Sequence, residues 1–161
     1  MALAKIGGLD SLFRLFPKIL TPPAVYQEVI TEGLRLGASD AAILEARYRA
    51  EELNIVSPTN AALPRPPLLG RGEEQSILLA IERQAVWLLA DDLSARRAAQ
   101  ANFEAAGVGT NLKGTLGIIL AACQDGHLLR EEAVRLIEAI RRRQDIWISN
   151  QLCDRALDLL Q

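Results

Sequence analysis

The sequence predicts an α/β fold, a short parallel sheet covered on both faces by helices, and three observations predict it. Short apolar runs alternate with longer helical segments, the pattern of parallel strands joined by helical crossovers. Aliphatic residues dominate a chain that is 50% hydrophobic and only 4% aromatic, a composition suited to helices packed on a sheet. The stretch "VWLLADDLSARRAA" at 86–99 runs five apolar residues straight into two carboxylates, as a buried strand does when it delivers acids to the rim of a sheet. At 161 residues the chain reads as one domain, able to bury roughly 70% of its unfolded surface.

Each element has its own signal. Residues 2–16 place Leu3, Ile6, Leu9, Leu12, Phe13 and Phe16 at helical spacing, broken by the Gly7–Gly8 pair. Ile19 and Leu20 form a very short strand. Thr21 is a candidate N-cap with Pro22 at the first helical position, where a missing N–H costs nothing; this helix is expected to run to Glu32 and stop at Gly33. A second helix fits 39–53, with Ser39 as its cap and Ile43, Leu44 and Leu53 as its apolar set. "NIVSP" reads as a short strand. The stretch from Pro58 on holds four of the seven prolines and reads as a loop rather than a domain linker. A helix over 73–84, a strand over 86–90 and a helix over 92–106 come next. "GVGTN" is a short strand or turn, and "GTLGIILAACQDGH" opens another helix. The last two helices span 130–143 and 150–160, separated by "IWIS". There is no internal repeat or low-complexity tract.

Composition narrows the function. The net charge is −2 and the pI about 5.5, which does not mark a nucleic-acid binder, although local patches matter more than totals. Cys123 and Cys153 fall in helical patterns without metal spacing and read as reduced core thiols of a cytosolic protein. No apolar run is long enough to span a membrane, and "MALAKIGGLDSLF" lacks the uninterrupted apolar stretch of a signal peptide. A soluble, cytoplasmic protein is expected.

The acids carry the chemistry. In an open α/β sheet the carboxyl ends of the strands and the adjoining helix starts share one rim, where ligand sites form. Asp91 and Asp92 lie at such a strand exit, Glu73 opens the helix after "LGRG", and Glu28 sits on the helix after the first strand. Two like charges 4 Å apart cost ~4 kcal/mol at an effective dielectric of about 20, so converging carboxylates call for raised pKa values or a divalent cation. Carboxylate-plus-water coordination suits Mg²⁺ or Mn²⁺, and hydrolysis of a phosphodiester is the chemistry such a site serves. Each acid also has a plain alternative: Asp92 as an N-cap worth ~1 kcal/mol, Glu73 beside a helix dipole, Glu28 as a solvated helix residue.

Basic residues are weighed in the same way. Arg96 and Arg97 follow the aspartates and are candidates to track an RNA backbone. Lys113 and Thr115, around "GTLG", either touch a phosphate or serve a helix start. The later set, Arg130, Arg135 and Arg141 to Arg143, reads better as a solvated helix face paired with Glu131, Glu132 and Glu138. His127, after Gly126, reads as a turn residue at a helix end. Trp87 and Trp147 fall in strand patterns and are expected in the core.

Four ordered stretches, "TPPAVYQEVI", "GRGEEQSILLAIE", "LLADDLSARRAA" and "GTLGIILAACQDG", resemble the PIN-like domains, nearest a prokaryotic subgroup related to VapC-type toxins. The closing "IWISNQLCDRALDLL" is similar to that subgroup as well. The resemblance covers nearly the whole chain. It implies a three-layer α/β/α sandwich with a short parallel sheet and a Mg²⁺- or Mn²⁺-dependent ribonuclease, often the toxin partnered by an antitoxin. Glu28, Glu73 and Asp92 match the family's catalytic and metal-binding acids, with Asp91 the adjacent acid; Gln75 stands where the subgroup often has a second glutamate.

One departure matters. Family members open with a short apolar strand ending in Asp or Asn, and here "MALAKIGGLDSLF" begins inside what matches the first helix. Either a misassigned start removes that strand with its acid, or the chain is a shortened, inactive relative serving as a protein-binding or regulatory module. A sheet lacking its central strand leaves backbone groups unpaired on both neighbours, which predicts direct pairing of the flanking strands or a homodimer.

Overall fold

The computed structural model describes residues 2–60, 62–64 and 69–161. In chain order, helices α1 (Ala2–Lys5) and α2 (Leu9–Leu15) precede the two-residue strand β1 (Leu20–Thr21). A helix follows in three parts: α3 (Pro23–Tyr26), a π-helical segment Gln27–Thr31, and α4 (Glu32–Arg35). Next come α5 (Ser39–Arg49), strand β2 (Asn54–Ile55), α6 (Arg71–Glu82), strand β3 (Trp87–Leu89) and α7 (Leu93–Ala106). Strand β4 (Asn111–Lys113) leads to α8 (Thr115–Gln124), α9 (Arg130–Arg142) and α10 (Asn150–Asp158). These elements divide into two compact units, one of Lys18–Lys113 and one of Met1–Pro17 with Gly114–Gln161.

Among the described residues the four strands lie in the Lys18–Lys113 unit. β1 pairs with β2 and β3 with β4, both in parallel. Parallel neighbours need a crossover between them, and α3 to α5 supply it for the first pair while α7 supplies it for the second. The α/β fold expected from the alternation is therefore present. Its sheet is more divided than one short sheet: among the described residues it consists of two separate two-stranded pieces. Helix α6 packs on α3 and also on β3, so one helix touches the segment leaving β1 and the second strand pair. Ile77, Leu78 and Ala80 of α6 bury against Ala99 and Phe103 of α7 and against Leu63, with Leu88 and Leu112 of the strands packed on this cluster. Covering a fully buried Phe and several aliphatic side chains contributes roughly 1.5–3 kcal/mol for each large one.

Tertiary contacts moved several boundaries in this unit. Thr21 is not a helix cap; it ends β1, and its hydroxyl accepts from the Tyr48 hydroxyl at 2.9 Å. Pro22 takes the cap position without any side-chain bond. Gly33 does not stop the helix. A side chain there would set its Cβ 2.7 Å from the Ala41 Cβ, so the glycine permits the close approach of α4 to α5, and the chain turns at Gly37, with φ of +72°. Ser39 is the first residue of α5 rather than its cap, which falls on Ala38 with no side-chain bond. The strand expected within "GVGTN" overlaps the real one only at Asn111.

The regular elements of the second unit are all helices among the described residues. α8 packs on α2, α9 and α10, and α9 packs on α10. Leu9, Leu12, Ile118, Ile119, Ile137, Ile140 and Cys153 are buried there, apolar residues that recur at helical spacing and so share one face of each helix. Ser149 caps α10, its hydroxyl accepting from the Leu152 N–H. His127 sits in the turn after α8 as expected; Gly126 has φ of +73° and the His127 N–H donates to the Ala122 carbonyl at 2.8 Å. Trp147 overturns its expectation. It is 96% exposed in the turn between α9 and α10, because Ile146 takes the buried place beside it. Trp87 is also not a core residue: it is exposed on β3, with the Lys113 ammonium 4.5 Å from its ring centre.

Candidate functional site

Glu28 lies in the π-helical segment, a widening of the helix that is rare and frequent at functional sites. Its Oε1 accepts the Gly72 N–H at 3.1 Å. Gly72 is the second residue of α6 and is buried, so its N–H is one of the donors a helix start leaves without an internal partner. A Cβ at Gly72 would lie 2.6 Å from Glu28 Oε2 and 3.2 Å from Val25 Cγ2, so only glycine allows this approach. Glu73 follows immediately and turns back to accept the Gly70 N–H through Oε2 at 3.2 Å. Two carboxylates thus serve the first turn of one helix, where the aligned peptide dipoles favour negative charge.

Asp92 stands at the exit of β3. Its Oδ1 accepts the Ala95 N–H at 2.7 Å, capping α7, as the sequence predicts. Asp91 is exposed beside it. Arg96 points back to the strand exit, Nη1 donating to the Ala90 carbonyl at 2.9 Å, while Arg97 is exposed and has no ion pair among the described residues. Lys113 covers the face of Trp87. Thr115 is buried at the first position of α8, in the other unit.

The structure therefore brings Glu28 to the helix start that Glu73 opens, and places Asp92 at a separate helix start. Among the described residues no group of three or more His, Cys, Asp and Glu side chains stands together as a metal-holding set. Each of the three acids also has one oxygen committed to a backbone N–H. As arranged, these residues do not fit a divalent ion.

On and just after α9, Arg135, Arg141 and Arg143 are ion-paired, while Arg130 and Arg142 have no ion pair among the described residues. Arg141 bonds Glu138 at 2.8 Å and Asp154 at 3.5 Å, Arg135 lies 3.8 Å from Glu132, and Arg143 holds Asp145 at 2.9 Å. The Arg143 fork and Lys5 beside it keep the Asp145 carboxyl far below the usual carboxylate range. Two roles escaped sequence reasoning. Gly72 is the seat of Glu28, and Gln75 Oε1 accepts the Ala24 N–H at 3.2 Å, tying α6 to α3. A glycine enclosed by "R-G-E" in a first helical turn is the signal for the former, since such a glycine often marks close backbone approach.

Among the described residues no helix is long and apolar enough to cross a membrane. No curated protein and no solved structure matches the chain. A PIN domain family model does, over residues 1–161. With parallel strands joined by helices and acids at the starts of α6 and α7, the chain belongs to the PIN domain family.

Proposed function

We propose that residues 1–161 form one PIN-type ribonuclease domain, related to the VapC toxins, whose acidic centre comprises Glu28, Glu73 and Asp92 with Asp91 beside it. The divided sheet carries this reading. Among the described residues β1 and β3 each pair on one side only, and α6 packs against both the helix leaving β1 and β3 itself. A further parallel strand of ordinary length, about six residues, seated between β1 and β3 makes one continuous sheet. It also pairs the open backbone groups on both edges. Its carboxyl end then falls on the rim where Asp92 begins α7, and an acid there adds a fourth carboxylate to the centre. Mg²⁺ or Mn²⁺ belongs only to that completed centre. RNA is the substrate, Arg96, Arg97 and Lys113 the cations that meet its backbone, an antitoxin protein the partner, the cytoplasm the setting, and a homodimer one way of covering the open edges.

The test appends, ahead of Met1, a short apolar strand ending in Asp or Asn, and follows cleavage of a single-stranded RNA in Mn²⁺. The extended protein cleaves, its Asp92→Asn form does not, and the unextended chain is inactive. Equal rates from the extended protein and its Asp92→Asn form end the reading. One observation favours a second reading, a binding module without catalysis: all three carboxylates already serve helix starts. That module stays inactive even when extended.

A further inference from the structure

The Lys18–Lys113 unit contains a cavity of about 270 Å³. Its walls come from the start of α3 after β1, from the loop after β2 and from α6, which puts it on the carboxyl side of the first strand pair. Pro23, Pro58 and Leu78 make part of the wall apolar. Arg71, Glu74, Gln75 and Asn60 supply the polar part.

Gln75 and Asn60 are held in place, Asn60 by backbone and side-chain bonds to the Glu82 carboxylate, while the Arg71 and Glu74 side chains are not used up. Among the described residues Arg71 and Glu74 have no ion pair, although they share the cavity one helical turn apart. Gln75 gives its carbonyl oxygen to the Ala24 N–H, which leaves the amide N–H donors for another partner. The loop bearing Asn60 is fixed by Glu82, whose carboxylate accepts the Thr59 and Asn60 N–H groups. The cavity thus offers one cation, one carboxylate and the Gln75 amide donors beside an apolar wall.

We propose that this cavity is a subsite for one guanine nucleotide of a single-stranded RNA, an inference that rests on the ribonuclease reading above. Its size lies just below the usual range of ligand pockets, ~300–1,000 Å³, which suits one nucleotide and not two. Bases of single-stranded RNA are recognised by packing of their faces and by hydrogen bonds to their edges. Guanine carries adjacent N1–H and N2–H donors that one carboxylate accepts together, and Glu74 provides it. The guanine O6 acceptor meets the Gln75 amide, the base face lies on Pro23, Pro58 and Leu78, and Arg71 meets the phosphate.

Calorimetric titration of the 161-residue chain with the four nucleoside 5′-monophosphates and with inorganic phosphate, in EDTA, tests the subsite without any metal. Guanosine monophosphate is expected to bind about tenfold tighter than the other three, the discrimination of a bidentate base contact, and tighter than phosphate. Glu74→Gln removes the preference, and Arg71→Gln weakens all four nucleotides alike. Equal affinity for the four, phosphate binding as tight as guanosine monophosphate, or a preference that survives Glu74→Gln overturns the proposal. The two readings fail separately. Guanine-selective binding by a protein whose extended form never cleaves RNA keeps the subsite and removes the ribonuclease; cleavage without guanine-selective binding does the reverse.

Discussion

Gly72 donates its N–H to one oxygen of the Glu28 carboxylate, and a side chain at Gly72 would collide with the other oxygen. This pairing joins the π-helical turn after β1 to the start of α6. Alanine is favoured over glycine in a helix by roughly 0.5–1 kcal/mol, so in open space Gly72→Ala would stabilise the protein. Here the added Cβ meets Glu28, and Gly72→Ala is expected to destabilise it. In a Glu28→Ala background only Val25, 3.2 Å from that Cβ, still crowds it, so the loss is expected to shrink, and urea melts of the four proteins give a coupling energy of about 0.5–3 kcal/mol. A coupling of zero means that Glu28 does not depend on Gly72.

Asp92 has two separable properties, its capping oxygen and its charge. Asparagine caps a helix as well as aspartate, whereas alanine costs ~1 kcal/mol. Asp92→Asn is therefore expected to melt like the parent and Asp92→Ala to lose about that amount, read from urea midpoints at unchanged slope. Equal losses in both would assign the stabilisation to the charge.

Glu82 sets an acid limit on the loop that borders the cavity. Burial alone raises its carboxyl pKa, but the N–H groups of Asn60 and Thr59 outweigh that and lower it below 4.5. A folded pKa below the unfolded one means the unfolded chain binds the proton first, so the stabilisation is present above the unfolded value and is lost as pH falls through the folded one. Melting temperature against pH is expected to fall less steeply below about pH 4.5 in Glu82→Gln than in the parent. Parallel curves would show that Glu82 does not hold this loop.

The two cysteines should part company toward a thiol reagent. Cys153 is fully buried on α10 and its burial pushes the thiol pKa up, while Cys123 on α8 is partly exposed. Since the thiolate is the reactive form, Cys123 is expected to react in the native protein and Cys153 only after unfolding. Two thiols titrating at one rate without denaturant would contradict this packing.

How far the sequence could be read follows the range of the interactions involved. Asp92 is legible as a cap because the N–H it binds is three residues away, and the turn at Gly126 and His127 is equally local. Thr21 is not, since its place in β1 depends on a register with Ile55 far along the chain. Gly33 looks like a helix stop, and only the packing of α4 on α5 reveals its use. Trp147 reads as core because apolar residues flank it, yet Ile146 takes the single buried place in that turn. The acids were identifiable by type and position; whether they converge depends on strand pairing, a non-local property that no spacing encodes. The contacts of Gly72 and Gln75 were hidden for the same reason, as their partners lie on the π-helical segment and α3.

Mn²⁺ binding, followed by electron paramagnetic resonance, tests most directly the claim that Glu28, Glu73 and Asp92 become one centre only when a further strand joins the sheet. The 161-residue chain is expected to leave the spectrum of free Mn²⁺ unchanged at micromolar protein. The strand-extended protein is expected to quench that signal, and its Asp92→Asn form to restore it. Tight Mn²⁺ binding by the unextended chain would contradict the account.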